Sequence, residues 1–212
     1  MLFGGTFDPP HIGHLVMAEL ALEQTGADEV WYVPAAAPPH KPQPERDFTW
    51  RVEMLRALIV GRSHFQISTI EQELPLPSYT VDTVAAIKRR YPGEHFCFLI
   101  GADSLASLPT WQGAPQLVRQ IPFLVAPRSG YDISEVYRRV AQSLPGLSLQ
   151  TLDMPIIDVS STWLRQRLLA GKSACGLMPD RVLEIWNQAP DSVHKPDRKK
   201  AGSVSGGEKR HE

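Results

Sequence analysis

Cysteine is scarce: Cys97 and Cys175 are the only two in 212 residues, and neither has a partner nearby in the sequence. With no Cys-x-x-Cys and no His-Glu-x-x-His, neither a disulfide framework nor a protein-held metal site is expected. Charge bias is missing as well. Lysine plus arginine (22) nearly balance aspartate plus glutamate (23), giving a formal net charge of −1, so nucleic acid is not an expected partner. No apolar run approaches the ~20 residues that span a bilayer, and the N-terminus lacks a charged stretch followed by an apolar one. A membrane is therefore not an expected partner either. Two unpaired thiols fit a reducing compartment, so the cytoplasm is expected. Three nucleotide and hydrolase signatures are also absent. No Gly-x-Gly-x-x-Gly follows the first apolar segment, no Gly-x-Ser-x-Gly elbow occurs, and Gly171-Lys172-Ser173 has Gln166 where a phosphate loop needs its first glycine. That last string reads as a helix C-terminal turn. Nothing in the sequence sets an oligomeric state.

What is present is concentrated at the start. Gly4-Gly5-Thr6-Phe7-Asp8-Pro9-Pro10-His11-Ile12-Gly13-His14 joins a glycine pair, a proline bend and two histidines three residues apart. Leu2 and Phe3 read as the end of a buried strand. Gly4 and Gly5 are expected to let the backbone leave it in conformations closed to other residues, with N–H groups exposed. From Gly13 to Gln24 the apolar residues recur at helical spacing, with Gly26 as the stop. His14 then lies in a helix's first turn, where unpaired N–H groups and the helix dipole favour an anion. The i, i+3 spacing would bring His11 and His14 to one face. The segment suits a ligand carrying several phosphates.

Beyond it, apolar runs and helical patterns alternate. Strands are expected at 29–33, 65–68, 96–100, 121–126 and 147–152, and helices at 48–60, 80–91, 133–144, 161–170 and 179–187. This rhythm predicts an α/β fold, a doubly wound, mostly parallel sheet of Rossmann-like type with helices on both faces. Ligands of such sheets sit beyond the carboxyl ends of the strands. The unusual clusters fall there. A proline-stiffened loop carries His40 and Lys41, Gly101 and Asp103 follow an apolar strand, and Ser160-Ser161-Thr162-Trp163-Leu164-Arg165 opens a helix with hydroxyls and a guanidinium, a second phosphate site.

The first string taken with Ser160-Ser161-Thr162-Trp163-Leu164-Arg165 resembles the paired His-x-Gly-His and Ser-x-Thr-x-x-Arg signature of the nucleotidyltransferase superfamily. Pro38-Pro39-His40-Lys41, Pro77-Ser78-Tyr79-Thr80, Ile100-Gly101-Ala102-Asp103-Ser104 and Leu108-Pro109-Thr110-Trp111 narrow the resemblance to the bacterial nicotinate mononucleotide adenylyltransferases. It spans residues 1 to 187, the expected nucleotidyltransferase domain, and leaves a polar tail at 188–212 that is expected to be disordered. Members usually carry several residues ahead of the position of Leu2, so a short first strand is expected.

The resemblance implies transfer of AMP from ATP to nicotinate mononucleotide, giving deamido-NAD and pyrophosphate, with Mg²⁺ delivered by ATP. It implies catalytic roles for His14, His11 and Arg165. ATP contacts would come from these three and from Gly4, Gly5, Thr6, Phe7, Gly101, Asp103, Ser160 and Ser161. The acceptor would meet Thr80, Trp111, the backbone N–H of Gln112, Lys41 and His40. Adenylyl- and cytidylyltransferases with other acceptors share the outer motifs, as would a nucleotide-binding module without turnover.

Overall fold

The protein is described here by a computed structural model covering residues 1–37 and 43–190. The expected roles of His40 and Lys41, and the tail beyond residue 190, lie outside the described residues.

Strand patterning comes first. In a strand successive side chains point to opposite faces, and a sheet covered by helices on both faces needs both to be apolar. Phe3, Leu99, Leu124 and Ala126 join one buried cluster, whereas their neighbours Leu2, Phe98, Ile100, Phe123 and Val125 join the other. The six strands are β1 (Leu2–Gly5), β2 (Val30–Pro34), β3 (Phe65–Ile67), β4 (Phe98–Gly101), β5 (Phe123–Ala126) and β6 (Leu149–Thr151). They lie in the order β3-β2-β1-β4-β5-β6, and every pairing is parallel. The expected mostly parallel sheet is thus wholly parallel among the described residues.

The first face is covered by α1 (Ile12–Thr25), α2 (Phe48–Ile59) and α8 (Asp180–Gln188), with Leu164 of α7 (Ser161–Leu169). The second takes α3 (Thr80–Arg90), α4 (Ala102–Ser107), α5 (Ala114–Gln120) and α6 (Ile133–Ser143). Local signals set several helix ends. Gly26 closes α1 at φ 63°, where a side chain would be strained, and its N–H donates to Leu22 O. Asp47 and Asp132 cap α2 and α6 by accepting backbone N–H groups. Helices α4 and α5 were not expected. Six and seven residues are too few to register a 3.6-residue period, although Gly113 in the left-handed region and Pro115 in the first turn announce α5.

The strand order reverses between β1 and β4, so a crevice opens beyond Gly5 and Gly101. The expected reason for Gly4 and Gly5 needs correction. Neither has a positive φ; the one positive φ of the turn belongs to Phe7, at 52°. The glycines are required by space. A Cβ on Gly4 would lie 2.7 Å from Phe98 Cζ, and one on Gly5 would lie 2.8 Å from Phe7 Cζ.

Gly4→Ala should therefore destabilise the fold by about 1–3 kcal/mol through overpacking. In a Phe98→Leu background the same change should cost much less, as urea unfolding of the double-mutant cycle would show. Strictly additive losses would contradict the steric explanation.

Candidate active site

Two cavities open at the crevice. The larger, about 700 Å³, is lined by the opening turn, both histidines, Gly101, Asp103, Arg128, Ser160, Ser161 and Arg165. The smaller, about 420 Å³, is lined by Glu71, Ser78, Tyr79, Thr80, Thr83, Trp111 and Gln112 among others. Gly4, Gly5, Thr6 and Ser104 line both. Two ligands could meet there, which is what group transfer without an enzyme-bound intermediate requires.

The histidine geometry follows from the α1 N-terminus. Helix α1 begins at Ile12, so His14 stands at its third position and its ring lies 3.8 Å from that of His11, centroid to centroid. The His11 backbone N–H donates to His14 Nδ1 at 3.1 Å. A nitrogen that accepts carries no proton, so the ring proton of His14 is on Nε2. Aromatic neighbours fix the ring: Phe7 lies 5.0 Å from it and Phe3 5.8 Å, and Tyr32 O–H donates to His14 O at 3.2 Å. Phe7 is itself fully buried, so its side chain supports the turn from beneath.

His11 is 5% exposed, and its Nδ1 has no hydrogen-bond partner. Burial, with the nearby Arg128 guanidinium, pushes its pKa down to about 3, which keeps it neutral at pH 7. The ring also leans over Gly13. A Cβ there would sit 3.0 Å from His11 Nδ1, which explains the glycine of His-x-Gly-His.

Asp8 organises the turn. Its carboxylate accepts the N–H groups of Glu45 at 2.7 Å and Arg46 at 3.2 Å, while Arg165 Nη1 donates to Asp8 O at 2.6 Å. Arg165 Nη1 is also 3.8 Å from Asp8 Oδ2. Burial raises the Asp8 pKa, and the backbone N–H donor of Glu45 and the charges of Arg165 and Arg51 oppose that rise. The second phosphate site is tied to the first. Ser161 O–H donates to Pro9 O at 2.8 Å, and Ser160 caps α7 by accepting Trp163 N–H at 3.2 Å. Asp103, half-buried, accepts from Arg128 at 3.3 Å. In the smaller cavity Thr80 opens α3, and Trp111 packs partly against the core with its Nε1–H donating to Ser107 Oγ at 3.3 Å. Every expected site residue within the described range lines one of the two cavities.

The cytidylyltransferase-like family model matches residues 2–167. A probable nicotinate-nucleotide adenylyltransferase of Exiguobacterium sibiricum is 45% identical over 191 residues, 88% of this chain and 96% of that protein. The nicotinate-nucleotide adenylyltransferase of Bacillus subtilis is 41% identical over 182 residues, covering 85% and 91%. The chain belongs to the nicotinate-nucleotide adenylyltransferases. The fold agrees: the Plasmodium falciparum nicotinic acid mononucleotide adenylyltransferase complexed with NaAD superposes with a TM-score of 0.73 at 20% identity, covering 88% of this chain and 93% of that one.

Three residues of this adenylyltransferase site escaped the sequence reading. Arg51 is 1% exposed and lines neither cavity but holds two residues that do: Nη1 donates to Thr6 O at 2.8 Å and Nη2 to Ala35 O at 2.8 Å, while Nε donates to Arg46 O at 3.2 Å. Its signal was an arginine on the apolar stripe that Phe48, Val52 and Leu55 define. Arg128 follows the carboxyl end of β5, a position the strand-end rule would have singled out. Glu71, buried on a 3₁₀ turn (Ile70–Glu73), gave no periodic signal at all.

The depressed His11 pKa predicts acid lability. Unfolded, the imidazole takes a proton near pH 6.5, whereas folded it resists until about pH 3, so stability falls as pH drops through that window. Such a shift corresponds to a loss on the order of 5 kcal/mol at its lower end. Asp8 works in the opposite sense, because a raised carboxyl pKa lets the folded chain take its proton first. Urea unfolding of His11→Gln should lose less stability than wild type between pH 6.5 and 4. Parallel losses would contradict the assignment.

Proposed function

We propose that this chain transfers AMP from ATP to nicotinate mononucleotide, yielding deamido-NAD and pyrophosphate in NAD biosynthesis. The observation that carries the reading is the pair of cavities meeting at Gly4-Gly5-Thr6, within a family whose members bear the name of this reaction. ATP occupies the larger cavity and the acceptor the smaller. The acceptor phosphate attacks the α-phosphorus in line, and the bond to pyrophosphate breaks. Because that phosphate is already ionised at neutral pH, no general base is required.

Catalysis then rests on donors aimed at charge that develops in the transition state. His14 offers its Nε2–H, fixed by the bond that Nδ1 accepts. His11 lies against it with an unsatisfied Nδ1, and Arg165 stands beside the turn with its guanidinium held by Asp8 O and Thr162 Oγ1. The N-termini of α1 and α7 add backbone dipoles; Ser160 caps α7, and Ser161 ties its start to the turn before α1 through Pro9 O. Gly101 and Asp103 accommodate the nucleoside, Asp103 exchanging Arg128 for a sugar hydroxyl. In the smaller cavity Trp111 stacks on the pyridinium ring, and Thr80 with the Gln112 N–H receives the nicotinate carboxylate. His40 and Lys41, which lie outside the described residues, contribute to binding the acceptor phosphate.

Mg²⁺ brought by the triphosphate would, when bound, supply positive charge to offset that on the leaving pyrophosphate. The donor set suits that route. Among the described residues no group of three or more His, Cys, Asp or Glu side chains is arranged to hold a metal ion, and the Asp8 carboxylate is committed to backbone N–H groups. Among those residues no helix is long and apolar enough to cross a membrane. The reaction belongs to the cytoplasm, where ATP is supplied and the free thiols of Cys97 and Cys175 stay reduced.

Pyrophosphate release from ATP should require nicotinate mononucleotide and be much weaker with nicotinamide mononucleotide. Equal use of both would contradict carboxylate recognition, and binding without turnover would favour a nucleotide-binding module. His14→Ala should lower kcat about 10²-fold with little change in thermal stability. Trp111→Ala should instead act chiefly on the acceptor KM, and steady-state kinetics with each substrate varied separates the two.

A further inference from the structure

We propose that Glu71 is the positioning residue of the acceptor site, a buried carboxylate that holds two walls of the smaller cavity in register. The proposal rests on the reading of that cavity as the nicotinate mononucleotide site. Glu71 is 7% exposed and both of its oxygens are engaged. Oε2 accepts the Ser78 hydroxyl at 2.7 Å and the Ala36 N–H at 3.0 Å, and Oε1 accepts the Thr83 hydroxyl at 3.0 Å. Ser78 and Thr83 bracket Thr80 at the start of α3, one wall of the cavity. Ala35 belongs to the other wall, at the end of β2.

One peptide plane joins the two halves. The Ala36 N–H and the Ala35 carbonyl are the same peptide unit, and that carbonyl accepts Arg51 Nη2 at 2.8 Å. A buried anion and a buried cation therefore grip it from opposite edges. Arg51 continues to Thr6 O, on the turn that lines both cavities. The connection runs without a gap from Thr6 through Arg51, the Ala35–Ala36 peptide and Glu71 to Ser78 and Thr83.

Three donors converging on one buried group call for a carboxylate, which accepts at both oxygens and carries no proton of its own. Alanine would take the acceptor from the Ser78 hydroxyl and the Ala36 N–H and leave Thr83 with Tyr79 O alone, so the two walls would lose the group that joins them. Glutamine can keep the geometry. Its carbonyl takes Ser78 and Ala36, and its NH₂ can donate to Thr83 Oγ1, whose own hydrogen can turn to Tyr79 O, 3.1 Å away. Glu71 thus acts through Ser78, Thr83 and the peptide, by holding the acceptor pocket in shape, and the acceptor should feel its loss more than ATP does.

The test is steady-state kinetics of the full chain with each substrate varied, for wild type, Glu71→Ala, Glu71→Gln and the double variant Ser78→Ala with Thr83→Val. Glu71→Ala should raise the KM for nicotinate mononucleotide about tenfold, roughly 1.4 kcal/mol, with the KM for ATP changed less than about twofold. Glu71→Gln should stay within about threefold of wild type for both substrates, and the double variant should reproduce the acceptor effect even if Glu71→Ala does not fold. Equal effects on both substrates, a fall in kcat with the acceptor KM unchanged, or a Glu71→Gln variant as impaired as Glu71→Ala would overturn the proposal. A wild-type chain that released no pyrophosphate with nicotinate mononucleotide would instead overturn the acceptor reading itself, and the positioning role with it.

Discussion

The site hangs on one buried cation. Arg51 takes a guanidinium out of water and directs its N–H groups to three backbone carbonyls, those of Thr6, Ala35 and Arg46. Burial pulls its pKa down, and the carboxylates of Asp8, Asp47 and Glu71 push it back. Burying such a charge is favourable only when its hydrogen bonds and counter-charges are nearly complete. Removing any part therefore disturbs the rest. Thr6 belongs to the phosphate turn, Ala35 to the acceptor side, and Arg46 to the segment that Asp8 fastens beneath α8, where its guanidinium lies 4.3 Å over Trp186.

This arrangement explains how the site is preorganised before any ligand enters. Parallel strands deliver Gly5 and Gly101 to one edge, but a sheet edge alone orients no side chain. Orientation comes from the layer beneath: the Phe7 ring under Gly5, the Phe3 and Tyr32 rings around it, and the His11 N–H that fixes the ring proton of His14. Depressing the His11 pKa leaves a neutral ring against His14, so the pair meets no like-charge repulsion at a ring separation of 3.8 Å. Donors fixed in this way need no reorganisation when charge develops.

Much of this was legible in the sequence because it was written in short-range patterns. Short continuous apolar runs marked the strands, Gly26 marked the end of α1, and His11 and His14 were expected on one face and lie with their rings 3.8 Å apart. The rest depended on contacts between distant segments. Gly4 is a glycine because of Phe98, and Gly5 because the positive φ of Phe7 brings that ring underneath, neither of which local conformational preference reveals. Asp8 read as part of a bend, yet its partners lie at Glu45, Arg46 and Arg165. Glu71 collects donors from Ala36, Ser78 and Thr83, and no local pattern shows that they converge. Membership in the nicotinate-nucleotide adenylyltransferases agrees with the motif order, and the roles proposed for single residues rest on that resemblance together with the cavities the described ones line.

The central claim is direct transfer between two adjoining cavities, with the α-phosphorus passing once from pyrophosphate to the acceptor. The stereochemical course at that phosphorus tests it most directly. With ATP made chiral at the α-phosphorus and nicotinate mononucleotide as acceptor, a single in-line displacement predicts inversion of configuration in the dinucleotide product. Retention would require two displacements through an adenylylated side chain and would contradict the account.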